Sequence, residues 1–221
     1  MSKKKFIIIV LIIFIIIKVI QISFIKKIKI NIDNFEKLNN SYCMQILNTQ
    51  NDKIEIIRKV KNKIIQEKTK LVYLNKEDII FIDNNNNKEI IIDLKDNIYR
   101  IKYNEENVKS KIQNLPKNIE IPDEAIRNLK EGNIFAILYY FKILYIVPAK
   151  YNNIDCYKIR TTREILYVDK ENLYPVYLEY KQNNSDKEKE KVTVKYVFEE
   201  NIVTDEDIKI PDLTNYTLTQ N

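Results

Sequence analysis

The sequence predicts a mainly β fold of the α+β class, preceded by one N-terminal transmembrane helix. Three observations lead to this prediction. Residues 6–25 are almost entirely apolar. Short runs rich in Ile, Val and Tyr then recur at intervals of about ten residues, which is typical of a meandering antiparallel sheet. Helix start and stop signals flank residues 122–131 in the middle of the chain.

The N-terminal stretch "FIIIVLIIFIIIKVIQISFI" follows three lysines. Twenty helical residues at about 1.5 Å each span about 30 Å, the thickness of a bilayer core. No small-x-small cleavage motif follows, so an uncleaved signal anchor is predicted. Lys18 lies near enough to the carboxyl end of the span to snorkel toward the interface. Three lysines flank each end, and the free amino group favours a cytoplasmic amino terminus.

This reading divides the chain into four segments. Residues 1–5 form a cytoplasmic tail, and residues 6–25 form the anchor, which contacts membrane lipid. Residues 26–40 form a juxtamembrane linker with a short helix through "NFEKLNN", capped by Asn31 or Asp33. Residues 41–221 form the extracytoplasmic domain. A chain that begins at Asn31 is therefore expected to be soluble.

Ten strands are predicted from apolar runs bounded by Asn, Asp and Lys clusters. They cover residues 42–47, 53–60, 70–74, 79–83, 89–94, 98–103, 156–161, 164–170, 175–182 and 191–200. The clusters "DNNNNK" and "NNSDKEKEK" are predicted hairpin loops.

The middle of the chain is predicted to be helical. Pro122 suits a first helical position, and Gly132 lies just past the expected end of a helix over 122–131. "NIFAILYYFKILYIVP" follows, and a second helix is predicted over 134–147. At about 21 Å it is too short for a second crossing. Its most apolar side is the candidate ligand-binding face. That face consists of Phe135, Leu138, Phe141 and Tyr145.

Composition excludes most catalytic classes. The chain has no His and a single Gly, so it lacks a His-based dyad, an imidazole metal ligand and a glycine-rich phosphate loop. We therefore expect no enzyme activity, no cofactor and no metal. The acidic stretch "TDEDIKIPD" fits a capped turn better than a Ca²⁺ loop. Cys43 and Cys156 are interpreted as buried thiols in preference to a disulfide.

The net charge of +6 does not indicate nucleic-acid binding. Seven lysines lie before residue 31 and no acid does, which leaves 30 Lys and Arg against 31 Asp and Glu in the rest of the chain. The lysines after the span are placed better against anionic lipid headgroups.

Three stretches resemble the LolA-like family, whose founding type is the outer-membrane lipoprotein carrier, in its membrane-anchored forms from low-G+C Gram-positive bacteria. They are "NNIDCYKI", "YVDKENLYPVYLE" and "VTDEDIKIPDLTNYTL". The resemblance implies a curved antiparallel sheet that forms a half-open barrel, with helices over its concave face. Asn153 and Leu173 stand where the family has Gly. We expect left-handed backbone at Asn153 and, in the second turn, at Asn172.

The resemblance also implies a function. The expected role is binding or sensing an apolar or lipid-like envelope component, such as a lipid or a lipoprotein. The alternative is a structural partner without a ligand of its own, which docks on an envelope or spore-associated enzyme. An open apolar cavity under residues 134–147 would favour the first role, and a filled one would favour the second.

Overall fold

The computed structural model describes residues 3–50, 52–103, 106, 111–120, 123, 127, 130–131, 143–162, 164–183 and 189–219. These residues form one long helix and twelve strands. Helix α1 is Lys3–Phe35. The strands are β1 (Asn40–Asn48), β2 (Lys53–Lys61), β3 (Ile64–Leu71), β4 (Lys76–Asp83), β5 (Lys88–Asp93), β6 (Ile98–Tyr103), β7 (Ile143–Tyr151), β8 (Ile154–Thr161), β9 (Glu164–Asp169), β10 (Pro175–Asn183), β11 (Lys189–Glu200) and β12 (Thr217–Leu218).

The twelve strands form a mixed sheet. Their order is β12-β6-β5-β4-β3-β2-β1-β11-β10-β9-β8-β7. The described pairings are antiparallel except for β12, which pairs parallel with β6. The chain divides into two compact units. The first unit is Met1–Asp33 with Pro116–Tyr180, and the second unit is Asn34–Leu115 with Lys181–Asn221.

The sheet in the second unit buries side chains on both of its faces. On one face, Phe81 and Ile90 are opposite each other, as are Ile79 and Ile92. Leu213 and Tyr216 from the carboxyl-terminal segment pack on this cluster. On the other face, Val60, Ile65 and Ile82 form a smaller cluster. Because successive residues of a strand point to opposite faces, the same strands supply side chains to both clusters.

The second unit also confirms most of the predicted strands. The prediction for residues 98–103 matches β6 at both ends. The prediction for 70–74 is wrong, because β3 covers Ile64–Leu71 and residues 72–75 turn into β4. β3 reads "IIQEKTKL", and its apolar pattern is weak because polar residues outnumber apolar ones in it. β3 forms a strand because it pairs with both neighbours, β2 and β4, although its own sequence does not predict a strand.

Asparagine takes the place of glycine in the turns. Eight of the ten described non-glycine residues with positive φ are Asn. Asn153 is among them, with φ 68°, as predicted. The prediction for Asn172 is wrong, because Leu173 itself adopts φ 59°. Leu173 is 6% exposed, so burial of its side chain opposes the steric penalty of its backbone.

Helix α1 continues without a break from the apolar span, whose side chains are exposed, into positions that are buried. Ile25, Ile28, Ile32 and Phe35 are each at most 2% exposed, and their spacing of three, four and three residues places them on one face. The predicted short helix capped at Asn31 or Asp33 is therefore wrong, since α1 ends at Phe35. The Ile-rich sequence suits both environments, so the helix has no reason to stop at the span.

Residues 143–151 form β7, so the predicted helix over 134–147 is wrong for its last five residues. Residues 134–142 lie outside the described part. Ile, Tyr and Val in β7 favour extended backbone. Pro148 is tolerated because β7 ends the strand order, where a missing N–H removes no ladder bond on one side. Asp123, Arg127 and Lys130 are helical, in agreement with the helix predicted over 122–131.

Candidate functional site

A row of buried polar groups crosses one face of the sheet in the second unit. The strand register places Glu67 opposite Arg58, Arg58 opposite Cys43, and Cys43 opposite Phe198. Arg58 is 4% exposed and Glu67 is 7% exposed. Phe35 packs edge-on against Phe198, with ring centroids 5.0 Å apart. The row therefore has an aromatic end and a charged end.

The segment 112–114 is bound over this row by four hydrogen bonds. The Ile112 amide donates to Glu36 Oε1 over 2.8 Å, and Gln113 Nε2 donates to Glu67 Oε1 over 2.8 Å. Gln45 Nε2 donates to the Gln113 carbonyl over 2.5 Å, and the Tyr196 hydroxyl donates to the Asn114 carbonyl over 2.6 Å. β1, β3 and β11 each contribute one side chain. The polar groups thus serve to hold a chain segment that has no strand of its own.

Burial changes the acidity of the groups in this row. Burial raises the pKa of Glu67, and the nearby Arg58 opposes that change. Burial also lowers the pKa of Arg58, opposed by Glu36, Cys43 and Glu67. Burial raises the pKa of the Cys43 thiol to about 12. A thiol with this pKa is protonated at neutral pH and is a poor nucleophile.

The first unit contains a small apolar recess beneath α1. Ile25 and Ile28 of α1 line it, together with Ile159 of β8 and Leu166 of β9. Its remaining lining residues are Ile119, Thr161 and Glu164. Its cavity volume is about 10 Å³, which is room for about one water molecule. Glu164 Oε1 accepts a hydrogen bond from the Lys117 amide over 3.3 Å, so the carboxylate at the edge of the recess already has a partner within the protein.

Tyr145 lies on β7, on the face of the sheet opposite to Ile159 and the recess. The register pairs Tyr145 with Arg160, and the Arg160 guanidinium lies 5.9 Å from the Tyr145 ring centroid. Tyr145 thus lies on a strand beside Arg160, and its role in ligand binding stays a prediction. Phe135, Leu138 and Phe141, the other predicted ligand-binding residues, lie outside the described part of the chain.

The face that carries Tyr145 also carries a tyrosine cluster. Tyr151 stacks on Tyr177 with centroids 4.7 Å apart, and Tyr167 lies 5.3 Å from Tyr151. Lys158 Nζ lies 5.5 Å from the Tyr167 ring centroid. These residues come from four neighbouring strands, β7 to β10. Alternation along each strand brings them together.

Sequence reasoning missed the residues that line the recess and the residues that bind segment 112–114. Ile25 was assigned to the membrane span and Ile28 to a linker. The signal available was the spacing of Ile25, Ile28, Ile32 and Phe35, which marks one helix face beyond the span. No sequence signal pointed to Gln113, because its partners Gln45 and Glu67 come from distant strands.

The acidic stretch at 204–207 is a turn closed by its own side chains. Thr204 donates to Asp207 Oδ2 from its amide over 2.9 Å and from its hydroxyl over 2.7 Å. Lys59 Nζ lies 2.8 Å from Asp207 Oδ1, and Lys61 Nζ lies 2.9 Å from Asp205 Oδ1. Asp207 and Asp205 thus form ion pairs with lysines of β2, and the stretch is a capped turn, as predicted. Within the described ranges, no three His, Cys, Asp or Glu side chains group as a metal site would require.

Cys43 and Cys156 are both free and buried, in agreement with the sequence interpretation. Burial is also the main cause that raises the pKa of the Cys156 thiol. Neither thiol is accessible, as a reactive cysteine needs to be.

Helix α1 is long and apolar enough to cross a membrane. Apart from Phe14, the apolar side chains between Phe6 and Ile20 are 45–65% exposed. A membrane anchor and a signal sequence both have this character.

No protein-family model matches the sequence, and no curated protein is similar enough in sequence to count as a relative. Among solved structures, an uncharacterized conserved protein from Thermus thermophilus matches with 9% identity and a TM-score of 0.47, covering 89% of this chain and 98% of that chain. A DUF1329 family protein from Desulfovibrio piger matches with 10% identity and a TM-score of 0.32, over 85% and 97%.

A third match is the crystal structure of MucB in complex with MucA(peri), at 8% identity and a TM-score of 0.42, over 86% of this chain and 61% of that chain. All three TM-scores are below 0.5. The function proposed below therefore rests on the residues of this chain.

Proposed function

We propose that this chain is a non-catalytic extracytoplasmic domain that α1 holds at the cell membrane, with the amino terminus in the cytoplasm. One observation carries the proposal. The exposed apolar part of α1 continues directly into buried positions, at Ile25, Ile28, Ile32 and Phe35. The segment after the span is thus helical and packed, whereas cleavage of a signal sequence needs an accessible, small-residue site.

The lack of catalysis is supported by the state of the polar groups. Glu67, Gln113 and Tyr196 all take part in hydrogen bonds that hold segment 112–114, and both thiols are buried. The sequence contains no His to act as a base near neutral pH.

Docking on an envelope protein is the role that the described cavity favours. An acyl chain needs a pocket of hundreds of Å³, whereas the recess under α1 has about 10 Å³. Binding or sensing of an apolar or lipid-like component remains the second candidate, because the recess is lined mostly by Ile and Leu. A spore-associated enzyme is one partner class that the LolA-like resemblance suggests for the docking role.

Native mass spectrometry of the detergent-extracted protein separates the two roles. The docking role predicts the mass of the polypeptide alone, and crosslinking in the native membrane then yields a defined protein adduct. A co-purified lipid at stoichiometric occupancy would instead establish the ligand-binding role.

Topology is tested by labelling intact cells with a membrane-impermeant maleimide. Leu74→Cys places a thiol at a turn position that is 63% exposed, and we expect it to be labelled. Lys4→Cys, on the cytoplasmic side, is the control that stays unlabelled until the cells are permeabilised. The reverse result would place the domain in the cytoplasm. The two native thiols give little background because they are buried.

A further inference from the structure

We propose that edge strand β7 of the first unit lies at the boundary between acyl chains and headgroups of the bilayer that holds α1, so that the domain rests on the membrane through this edge. This inference rests on the proposed anchoring of α1 and adds a second membrane contact to it. It follows from how α1 crosses the strands and from where the span ends.

Successive turns of α1 meet successive strands of the first unit. The Phe24 ring packs edge-on against Tyr157 of β8, with centroids 4.9 Å apart. Ile25 and Ile28 then contact the space between Ile159 of β8 and Leu166 of β9. Asn31 Nδ2 donates to the carbonyl of Asn172, beyond the end of β9, over 2.9 Å. Going up the helix, the chain thus passes from β8 to β9 and beyond.

Going down the helix, the next strand is β7, which pairs with β8 on its other side. Neighbouring strands are about 4.8 Å apart, which corresponds to about three residues of helix rise. β7 therefore lies level with residues 20–22 of α1. Gln21 and Ile22 are only partly exposed, as a neighbouring element requires.

The span reaches the same level. A bilayer core of about 30 Å takes about 20 helical residues, and Lys5 and Lys26 flank residues 6–25. The upper boundary of the core thus falls near Phe24 and Ile25. Tyr157 is at that boundary, and β7 is on its membrane side. Because α1 is one continuous helix over Lys3–Phe35, no linker separates the span from the residues that pack on the strands. The first unit is therefore held close to the bilayer.

Lys18 is a buried cation within the apolar span of α1. Lys18 is 8% exposed, whereas its neighbours Ile17 and Val19 are 47% and 51% exposed. Its Nζ lies 5.3 Å from the Phe14 ring centroid, one turn toward the amino terminus. The snorkelling of Lys18 toward the upper interface stays a prediction.

The composition of β7 suits the boundary between acyl chains and headgroups. Val147 is 41% exposed, Pro148 is exposed, and the Lys150 side chain is 71% exposed. Tyr151 ends the strand. Exposed aliphatic side chains beside Lys and Tyr are typical of an element that lies at the boundary of acyl chains and headgroups. Lys26 and Lys27, exposed on α1, add positive charge at the same level.

Tryptophan fluorescence provides a direct test because the chain has no Trp. The full chain is reconstituted in nanodiscs of phosphatidylethanolamine and phosphatidylglycerol, with bromine on the acyl chains close to the headgroup. Val147→Trp reports on β7, and Lys150→Trp is a second reporter there in case the first does not fold. Glu171→Trp is the control, since its turn lies next to Asn172, about 10 Å further up α1 than Phe24.

We expect the emission of the β7 reporters to shift to the blue and to lose intensity with brominated lipid, while Glu171→Trp keeps its emission. Equal, unquenched emission from all three variants would overturn the proposal. Ile13→Trp, in the middle of the span, separates this failure from a failure of the anchor. Its quenching by bromine near the acyl terminus tests insertion of α1 alone. If Ile13→Trp is quenched and the β7 reporters are not, α1 is anchored and the β7 contact is rejected, which leaves that edge to a protein partner.

Discussion

At the scale of single residues, asparagine occupies most of the described left-handed turn positions of this chain, where glycine is the usual residue. Each left-handed position outside glycine costs about 1–2 kcal/mol, and Asn reduces that cost through local hydrogen bonds of its short side chain. Asn153 is therefore readable from sequence. The left-handed backbone at Leu173 could not be predicted from sequence. Burial of the Leu173 side chain offsets its backbone strain, and no local sequence pattern reveals that burial.

The Leu173 turn inverts the usual ranking of Ala and Gly. Leu173→Ala is expected to lower the free energy of unfolding by about 2–5 kcal/mol, as loss of a buried Leu does. Leu173→Gly loses the same contacts but removes the Cβ clash, worth about 1–2 kcal/mol, against about 0.5–1 kcal/mol of extra chain entropy. In urea unfolding, Gly should be at least as stable as Ala. A glycine variant clearly less stable than the alanine variant would show that φ at residue 173 is negative in solution.

Asp207 is expected to make stability depend on acid pH. Its hydrogen bond from Lys59, with those from Thr204, holds the pKa of this carboxyl well below its usual range. A group with a depressed folded pKa stabilises the fold above its unfolded pKa of about 4, and that contribution is lost as the pH falls further. Asp207→Asn should therefore lower the urea midpoint at pH 7 and match the parent at strongly acid pH.

The control for Asp207 is Asp205→Asn. The Asp205 side chain is 83% exposed and contacts Lys61, so its removal should change the midpoint less. Both effects should shrink in high salt. A difference between Asp207→Asn and the parent that persists at strongly acid pH would assign its effect to packing.

At the scale of elements, the position of segment 112–114 could not be predicted from the sequence. Its hydrogen bonds come from β1, β3, β11 and the residue after α1, all distant along the chain. Tyr196→Phe removes the hydroxyl that donates to the Asn114 carbonyl over 2.6 Å. We expect it to lower the free energy of unfolding by about 0.5–1.5 kcal/mol and to speed amide exchange in residues 111–115. An unchanged exchange rate would show that this bond does not hold the segment.

Helix α1 is the element whose existence was predicted and whose extent was not. Hydropathy marks residues 6–25, but helix formation depends on the next ten residues as well, and their apolar stripe is as regular as a core helix requires. Ile28 and Ile30 form a matched pair on this part, since Ile28 is fully buried and Ile30 is 46% exposed. Ile28→Ala should cost about 2–5 kcal/mol, whereas Ile30→Ala should stay within about 0.5 kcal/mol of the parent.

Both variants are measured in the full chain, by urea unfolding in mild detergent with far-ultraviolet circular dichroism. Equal effects of the two substitutions would mean that residues 26–35 act as a linker, as the sequence first suggested.

At the scale of the whole molecule, the strand-rich composition and the meander were readable because period-two alternation and Asn-rich turns recur along both units. Residues 143–147 were misread because apolar residues on all sides do not distinguish a buried helix from a strand at the end of a sheet. β7 then shows that Pro148 marks an edge strand and not a helix end. Charge was readable as well, since the basic excess is confined to the residues around the span.

The boundary of the soluble domain is the last prediction, and the structure moves it from the position that the sequence suggests. A chain that begins at Asn31 omits Ile25 and Ile28, which are 2% and 0% exposed, and uncovers Ile159 and Leu166 beneath them. Each lost side chain costs about 2–5 kcal/mol, out of a total stability of about 5–15 kcal/mol for an ordinary domain. A chain that begins at Gln21 keeps the four buried apolar residues Ile25, Ile28, Ile32 and Phe35 and omits the exposed apolar residues before them. We expect residues 21–221 to be monodisperse without detergent and to unfold cooperatively, and residues 31–221 to melt at lower temperature and to aggregate. Size-exclusion chromatography with light scattering and thermal unfolding compare the two directly. Equal melting temperatures would mean that the carboxyl-terminal third of α1 contributes nothing to the fold, and the placement of β7 at the membrane would lose its foundation.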